Sequence, residues 1–182
     1  MKRSPLIPPV IADCVSLALS GVADIQFLDA SVCPECAGLL MSHDLKKRRF
    51  STLQTENGPN HIYVYIKRYY CRDCGHLCYA DAPFYLNSRF GAPVVDLCLT
   101  LCRDHSYSQT STILQDLGII VDRGTVRKMA LAFSHQIPVV DLYGIMLPQS
   151  ILALSALVMQ SMPSGALTGA EVLKACGFPI NI

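Results

Sequence analysis

The chain has little charge and no long apolar stretch. Asp, Glu, Lys and Arg make up 16% of its 182 residues, whereas 51% are hydrophobic, so the composition provides ample material for a folded core. No apolar run reaches the roughly 18 residues that a membrane-spanning helix requires. The N-terminus also lacks a convincing export signal, because Asp13 interrupts the apolar stretch near the start. These absences argue against a membrane span and against secretion, and they predict a cytoplasmic protein.

Cysteine, in contrast, is abundant, and four of the nine cysteines form two C-x2-C pairs. The pairs are Cys33 with Cys36 and Cys71 with Cys74, and Gly75 directly after the second pair favours the tight turn that such a pair needs. Together they supply the four thiolates of a tetrahedral structural zinc site, which leaves no open position for a substrate. The sequence therefore predicts one structural Zn²⁺. Disulfide bonds and a redox pair are the alternatives.

The remaining cysteines have less specific interpretations. Cys78 follows the second pair closely and is either a competing ligand or a small buried hydrophobic residue. Cys98, Cys102 and His105 share one face of a predicted helix. They form either a second metal site or part of a core on that face.

The region between the cysteine pairs predicts a β-hairpin. Ile62–Tyr70 is rich in β-branched and aromatic residues, and Arg48–Thr55 is its expected partner across a turn that begins at Glu56. Such a surface either stacks on bases and contacts phosphates, or uses its tyrosines to cover a small core. With the metal site, the hairpin forms a predicted zinc ribbon over residues 31–90. The basic residues that enter the hairpin, as candidates for phosphate contact, are Lys46, Lys47, Arg48 and Arg49.

Residues 91–136 predict three short helices. The second of them has a capping box formed by Ser106 and Gln109, and it ends at Gly118. Asp122 then caps the third helix. This order is typical of a helix-turn-helix, whose last helix presents its N-terminal residues to base edges in the major groove. A plain three-helix bundle with a basic last helix is the alternative.

The helix-turn-helix interpretation assigns a set of DNA contacts. Base-reading residues belong to the N-terminal part of the third helix, whereas side chains and amides at the start of the second helix bond the phosphate backbone. The charge distribution agrees, because residues 46–128 carry twelve Lys/Arg and seven Asp/Glu, a balance of +5, between flanks of −3 and −1. The predicted contacts are Arg123, Thr125, Arg127 and Lys128 in the third helix and Ser106, Ser108 and Gln109 in the second.

Two flanking segments complete the predicted organisation. Residues 1–30 contain a short apolar segment, and residues 137–182 contain two predicted helices, Gln149–Ser161 and Gly169–Cys176. The apolar surface of these C-terminal helices needs a partner, which is either the N-terminal segment or a second copy of the chain in a homodimer. The predicted fold class is α+β, with a zinc ribbon followed by a helix-turn-helix and a C-terminal helical segment.

Two cysteine pairs with a strand are followed here by the runs Ser106-Tyr107-Ser108, Gly118-Ile119 and Thr125-Val126-Arg127. This order, over about residues 31–136, resembles the N-terminal DNA-binding region of insertion-sequence transposases from prokaryotic mobile elements. The resemblance implies that the four paired cysteines are zinc ligands. It also implies that the helix beginning near Asp122 reads terminal-repeat DNA.

The chain departs from those transposases where their chemistry takes place. They continue into a ribonuclease-H-like domain in which three carboxylates hold two metal ions. After Gln136 the only acidic residues are Asp141 and Glu171, which are too few for that triad. The other acidic residues that could be considered, including Asp96, lie on the predicted helices, where capping or surface roles suffice. The sequence therefore predicts no enzymatic activity.

The main hypothesis is a zinc-stabilised, nucleoid-associated protein that binds double-stranded DNA, in which the ribbon places and supports the third helix. One alternative is a protein-interaction module that docks on the transcription or recombination machinery. A weaker alternative is a protein that binds single-stranded RNA through its tyrosine-rich strand.

Overall fold

The structure is a computed structural model that describes residues 7–162, 165 and 167–178. In this part of the chain the fold is α+β, as predicted, with six helices and two separate sheets. The elements in chain order are α1 (Pro9–Ser20), β1 (Gln26–Phe27), β2 (Leu40–Thr55), β3 (Gly58–Cys71), β4 (Leu77–Tyr79), α2 (Ala92–Cys102), α3 (Tyr107–Asp116), α4 (Arg123–Ala132), β5 (Val139–Leu142), β6 (Ile145–Pro148), α5 (Gln149–Ser161) and α6 (Gly169–Ala175). None of the described helices is both long and apolar enough to cross a membrane.

The antiparallel hairpin of β2 and β3 is longer than the sequence predicts. Pairing begins at Thr55 with Gly58 and continues to Leu40 with Cys71, so β2 begins eight residues before the predicted Arg48. Most side chains in this added part of β2 are exposed, and they lack the apolar alternation by which a strand is recognised. Gly58 has a φ of 102°, which a residue with a side chain rarely adopts, so glycine suits the start of β3.

The two faces of β3 differ in burial, as its alternating sequence predicts. Ile62, Val64 and Ile66 are buried in the core, whereas the tyrosines between them are half-buried on the other face. On the edge of β3 away from β2, β1 pairs in parallel and β4 pairs antiparallel. The sheet therefore has one face against the helices and one face with tyrosine and lysine side chains.

The helices α2, α3 and α4 form where the sequence predicts three short helices. The capping box of α3 is confirmed, since Ser106 Oγ accepts from the Gln109 backbone N–H at 3.3 Å and Gln109 Oε1 accepts from the Ser106 N–H at 3.1 Å. Asp122 caps α4 by accepting from the Thr125 N–H at 3.0 Å. Gly118, with a φ of 83°, ends the turn after α3, as predicted.

The C-terminal segment contains the two predicted helices and one hairpin that the sequence does not predict. The hairpin β5–β6 turns at Tyr143 and Gly144, which both have positive φ values of 55° and 80°. This conformation matches the twist of the flanking strands. Helix α5 packs against α1, and a methyl group at Gly21 would lie 2.3 Å from the Val158 side chain. One apolar face of α5 is thus covered by the N-terminal segment of the same chain.

One continuous core joins the four segments that the sequence analysis predicts as separate units. Its buried side chains come from α1, the hairpin, the three middle helices and both C-terminal helices. A second, much smaller cluster lies around three cysteines, Cys33, Cys71 and Cys78. The ribbon, the helices and the flanks are therefore packed on one another through a shared interior.

Candidate metal centre and nucleic-acid interface

The four paired cysteines come together at the open end of the hairpin. Their Sγ atoms all lie within 4.8 Å of one another, and two of the cross-pair distances are 3.6 Å (Cys33 to Cys74) and 3.5 Å (Cys36 to Cys71). A tetrahedral zinc site with Zn–S bonds of about 2.3 Å places its thiolates about 3.8 Å apart. The cluster is therefore compatible with one structural metal ion held by both pairs.

The backbone of the two cysteine pairs repeats the same hydrogen-bonded turn. The Ala37 N–H donates to the Cys33 carbonyl at 2.8 Å, and the Gly75 N–H donates to the Cys71 carbonyl at 3.0 Å. Both donors have positive φ values, 57° at Ala37 and 74° at Gly75. In addition, each leading cysteine donates its own N–H to the carbonyl five residues later. This equivalence indicates two matched turns that face a common centre. We call them the knuckles, the first over residues 33–38 and the second over residues 71–76.

Direct hydrogen bonds connect the two knuckles. The Asp73 carboxylate accepts from the Leu39 N–H at 3.1 Å, and the Leu39 carbonyl accepts from the Arg72 N–H at 3.0 Å. A methyl group at Gly38 would lie 2.2 Å from Asp73 Oδ2, so only glycine permits this approach. Sequence reasoning missed Asp73 and Gly38, because their roles depend on contacts across the hairpin.

The environment of the cysteines differs within each knuckle. Cys33 and Cys71 are buried, whereas Cys36 and Cys74 are exposed. Burial raises the pKa of the Cys33 thiol, but hydrogen bonds from the Cys36 and Glu35 backbone N–H groups and from neighbouring thiols lower it to about 6. Cys36 does not share this shift: the Gly38 backbone lowers the pKa of Cys36, but hydrogen bonds with the Cys74 and Cys71 thiols raise it to about 12. Within the first pair, Cys33 is thus the cysteine whose thiolate the surroundings stabilise more.

Cys78 lies beside this centre but outside the set of four. Its Sγ is 3.8 Å from Cys33 Sγ, and the residue is buried. Burial, followed by the interaction with Cys33, raises the pKa of the Cys78 thiol to about 11. A neutral, buried thiol fits the predicted role as a small hydrophobic residue better than the role of a competing ligand.

The metal centre and α4 lie at opposite ends of the hairpin. The α3–α4 connection joins the hairpin near its turn, where the Ile120 N–H donates to the Thr52 carbonyl at 2.9 Å and Leu53 bridges to Ile119. Leu40, beside the knuckles, is about 40 Å away along β2 at about 3.3 Å per residue. The metal centre therefore does not support α4 directly. The hairpin turn supports it through backbone hydrogen bonds.

The predicted base-reading residues lie on α4, with differing accessibility. Arg123, Arg127 and Lys128 are exposed, while Val126 and Met129 on the opposite side of the helix are buried. In the described parts of the chain, no acidic side chain forms an ion pair with these three cations. The helix thus presents an uncompensated cationic surface.

Thr125 is less available than its neighbours. Its hydroxyl donates to Asp122 Oδ2 at 2.5 Å, and the residue is half-buried. This bond is the largest of the causes that lower the pKa of the Asp122 carboxyl, followed by the bond from the Thr125 backbone N–H. Thr125 is therefore a part of the helix cap.

The predicted phosphate contacts at the start of α3 are also partly engaged. Ser106 and Gln109 bond each other in the capping box. Ser108 is exposed in the first turn, so its side chain remains accessible there. Of this group, Ser108 and the exposed N-terminal turn are the parts that can meet a phosphate.

The basic run on β2 separates into two exposed lysines and two engaged arginines. Lys46 lies over the Tyr79 ring at 5.5 Å and Lys47 over the Tyr63 ring at 4.3 Å, and both lysines are exposed. The Arg48 guanidinium donates to the Ser88 carbonyl at 2.6 Å, and burial lowers its pKa. Both arginine guanidinium groups also lie over aromatic rings, Arg48 over Phe84 at 4.0 Å and Arg49 over Phe90 at 5.1 Å.

The second candidate metal site does not assemble. Across residues 7–162, 165 and 167–178, the four paired cysteines are the only group of three or more possible ligands whose donor atoms converge. Cys98 is buried in the core, and Cys102 Sγ lies 3.7 Å from Thr110 Oγ1. The shared helix face of Cys98, Cys102 and His105 therefore serves packing.

Two polar residues have partners that sequence reasoning missed. Asp96, for which a capping or surface role was expected, is buried in α2 and accepts from the Tyr85 hydroxyl at 2.7 Å. His135, for which the sequence shows no partner at ligand spacing, has its Nε2 at 2.9 Å from Asp96 Oδ1. Sequence reasoning had no signal for this pair, because 39 residues separate its members.

Comparisons of the chain with protein-family models, with curated proteins and with solved structures find no match. The arguments for a function therefore come from the residues and geometry of the site.

Proposed function

We propose that this protein is a zinc-stabilised protein that binds double-stranded DNA through a helix-turn-helix formed by α2, α3 and α4. Helix α4 is the recognition helix, and the hairpin contributes a second, non-specific contact with phosphates. The observation that carries the proposal is the exposed and unpaired cationic surface of Arg123, Arg127 and Lys128. The proposed protein binds DNA without catalysing a reaction on it.

The placement of α4 supports the assignment of its residues. A recognition helix lies in the major groove and contacts base edges with its N-terminal residues. Arg123 and Arg127 are in the first two turns of α4, and both side chains are exposed. Arginine bonds guanine O6 and N7 with two donors, which makes these two residues the proposed base readers. Lys128, with a single ammonium group, is the proposed phosphate contact.

The hairpin supplies the other part of the proposed interface. Lys46 and Lys47 are exposed and therefore available to phosphates, whereas Arg48 and Arg49 fasten the hairpin to the Phe84–Phe90 segment. Phosphate contacts of this kind provide affinity that does not depend on base sequence. We therefore keep Lys46 and Lys47 as DNA contacts and assign Arg48 and Arg49 to the stability of the fold.

The proposed metal is zinc in a structural role. Four cysteine thiolates in a tetrahedral arrangement are typical of structural zinc sites, and they leave no coordination position for a substrate. The matched knuckle backbones and the buried Cys33 and Cys71 fit such a closed site. One Zn²⁺ would fasten the two hairpin strands together at the end distant from α4.

The structure favours DNA over the two alternatives. Docking on a protein partner through α4 would be supported by burial of its cationic face, but that face is exposed. Binding of single-stranded RNA would use several open aromatic rings. Of the β3 tyrosines, Tyr63 lies under Lys47 and Tyr69 donates its hydroxyl to the Leu28 carbonyl, whereas Tyr70 is exposed. The resemblance to the DNA-binding region of insertion-sequence transposases points in the same direction.

The direct test is selection of bound sequences from a random duplex pool by the full chain. The preferred site then serves in titrations of three variants at several salt concentrations. Arg127→Ala is expected to cost about 1–3 kcal/mol, a loss of roughly 5- to 150-fold, and to relax base choice at one position. Lys128→Ala is expected to weaken binding to all duplexes and to reduce the salt slope by about one.

Arg72→Ala is the matched control, because Arg72 is an exposed cation in the second knuckle, at the end of the hairpin distant from α4. It should leave the affinity for the preferred site within about twofold. If no duplex shows salt-dependent binding, or if Arg72→Ala weakens binding as much as Arg127→Ala, the assignment of α4 as the recognition helix is wrong. A preference for single strands would favour the RNA alternative.

A further inference from the structure

A cleft with a volume of about 870 Å³ lies beside the core, away from both the metal centre and the exposed face of α4. Its walls come from α2, the segment after α4, α5 and α6. Small-molecule sites typically have volumes of about 300–1,000 Å³, with mostly apolar walls and a few placed polar groups. The cleft has this character, and nothing in the proposed DNA-binding function uses it.

The main polar group of the cleft is the Asp96 carboxylate, whose side chain is only 7% exposed. Its Oδ1 accepts from the Tyr85 hydroxyl at 2.7 Å and from His135 Nε2 at 2.9 Å. Among the residues that the structure describes, its Oδ2 accepts only from the Ser150 hydroxyl, at the long distance of 3.4 Å. Because each carboxylate oxygen can accept about two hydrogen bonds, Oδ2 retains acceptor capacity. A group that fills this capacity must be a donor.

The lining around this carboxylate is mostly apolar and includes two aromatic rings. The Tyr85 and Phe178 rings both line the cleft, with centroids 5.7 Å apart, and Ala153 and Ala156 on α5 contribute small side chains to the lining. Small side chains leave room where larger ones would close the cleft. A ligand that fits these walls has a flat apolar body.

The charged groups that line the cleft define the ligand further. Besides Asp96 and its partner His135, they are Glu171 and Lys174 on α6. Glu171 accepts from Thr168 in a capping box, and Lys174 is exposed. Counted without His135, which hydrogen-bonds Asp96, these side chains are two carboxylates and one ammonium, a formal charge of −1. This balance favours a cationic ligand over an anionic one.

We propose that the cleft binds a small organic cation that has an apolar, aromatic-sized body and an ammonium or amidinium group. The cationic group donates a hydrogen bond to Asp96 Oδ2, and the body packs against Tyr85 and Phe178. This inference does not depend on the proposed DNA-binding function, because neither its residues nor its test involves DNA.

The test uses benzylamine, with benzyl alcohol as a neutral probe of the same size and benzoate as an anionic one. Each is titrated into the isotopically labelled full chain, and amide chemical shifts are followed by NMR. Benzylamine is expected to bind with a dissociation constant of about 1 mM, as eight heavy atoms permit. Its shifts should map to the residues around Asp96 and Phe178. Benzyl alcohol should bind at least about tenfold more weakly, and benzoate should not shift these amides.

Two variants identify the site. Asp96→Asn should weaken benzylamine at least about tenfold, whereas Asp104→Asn, the same charge change at an exposed position, should leave it unchanged. Ala153→Phe should block the cleft without touching the carboxylate, and Ala23→Phe on the exposed turn after α1 is its matched control. If the Asp96→Asn variant does not fold, the comparison of Ala153→Phe with Ala23→Phe still tests whether benzylamine binds in the cleft.

Equal binding of benzylamine and benzyl alcohol would overturn the proposal. The proposal would also be wrong if the benzylamine-induced shifts map outside the cleft, or if the Ala153→Phe variant still binds benzylamine. A third contrary result is the absence of shifts at a benzylamine concentration of about 20-fold the expected dissociation constant.

Discussion

The two ends of the long hairpin are stabilised by different kinds of interaction. At the end that meets the helices, Phe50 and Leu53 belong to a core that extends from α1 to α6. At the other end, the small cluster of buried side chains consists of Cys33, Cys71 and Cys78. The helix end is therefore stabilised by the burial of apolar surface. The knuckle end has too little apolar surface for that, so we expect its stability to depend on the proposed metal ion.

Different interactions therefore also hold the two ends in position. Helix α4 takes its position from the core beneath it and from the hydrogen bond between Ile120 and Thr52. The knuckles, about 40 Å away along the strand, contribute nothing to that position directly. Loss of the metal should consequently loosen the knuckle end and leave the helix end folded. That outcome can be tested one end at a time.

The largest effect is expected at the knuckle end, from Cys71→Ser. Binding of structural zinc in small domains is worth about 10–16 kcal/mol at pH 7, and loss of one thiolate removes most of that contribution. We expect zinc content to fall from one to near zero per chain. Hydrogen exchange should accelerate at the knuckles, while the amides of α2 and α3 keep their protection. Metal analysis and hydrogen exchange with mass spectrometry measure the two results.

Cys78→Ala is the matched control for that variant, because Cys78 is buried 3.8 Å from Cys33 Sγ but lies outside the set of four. It should retain one zinc per chain. If it loses the metal, Cys78 is a ligand. If Cys71→Ser instead unfolds the helices as well, the two ends are one cooperative unit and the comparison fails.

The next largest effect is expected at the helix end, from Leu114→Ala. Leu114 is fully buried in α3, and truncation of a buried leucine to alanine costs about 2–5 kcal/mol. Urea unfolding followed by circular dichroism should show this loss, while zinc content below the transition stays at one per chain. Leu86→Ala, at a position that is 85% exposed, is the control and should change stability by less than about 0.5 kcal/mol. Loss of zinc from the folded Leu114→Ala variant would contradict the separation of the two ends.

The sequence predicts well those features whose signals are local. The C-x2-C pairs, the capping boxes and the turn at Gly118 each occupy a few neighbouring residues, and the structure contains the expected geometry at all of them. Helix α5 has the predicted bounds of Gln149–Ser161. In these cases the stabilising contacts form within one or two turns of the chain, so the residue types alone identify them.

Features that depend on distant contacts were missed. The first half of β2 is exposed and polar, and only pairing with β3 makes it a strand. Asp96 and His135 come together because α4 ends beside α2. The position of the metal centre relative to α4 follows from the length of the hairpin, which the polar residues before Arg48 conceal. Tertiary pairing decides each of these features, and spacing in the sequence carries no signal for it.

The smallest effect concerns a single hydrogen-bonded cap at the helix end. Asp122→Ala removes the bonds that the carboxylate accepts from the Thr125 N–H and hydroxyl, and loss of such an N-cap costs about 1 kcal/mol. These bonds lower the pKa of the Asp122 carboxyl in the folded protein. The stabilisation is therefore fully present above the unfolded value of about 3.9 and is lost as the pH falls below it. Urea unfolding of wild type and variant should differ at pH 7 and converge in acid.

Asp122→Asn sharpens this last test, because asparagine caps a helix about as well as aspartate but does not titrate. Its stability relative to Asp122→Ala should stay constant with pH, whereas that of the wild type should decline in acid. Asp104→Ala, at an exposed position after α2, should show neither effect. Zinc content should remain at one per chain in all three variants at pH 7. A change in zinc content on loss of the cap at α4 would show that the stabilities of the two ends of the hairpin are coupled. We expect no such coupling, because the two ends are far apart along β2 and different interactions stabilise each of them.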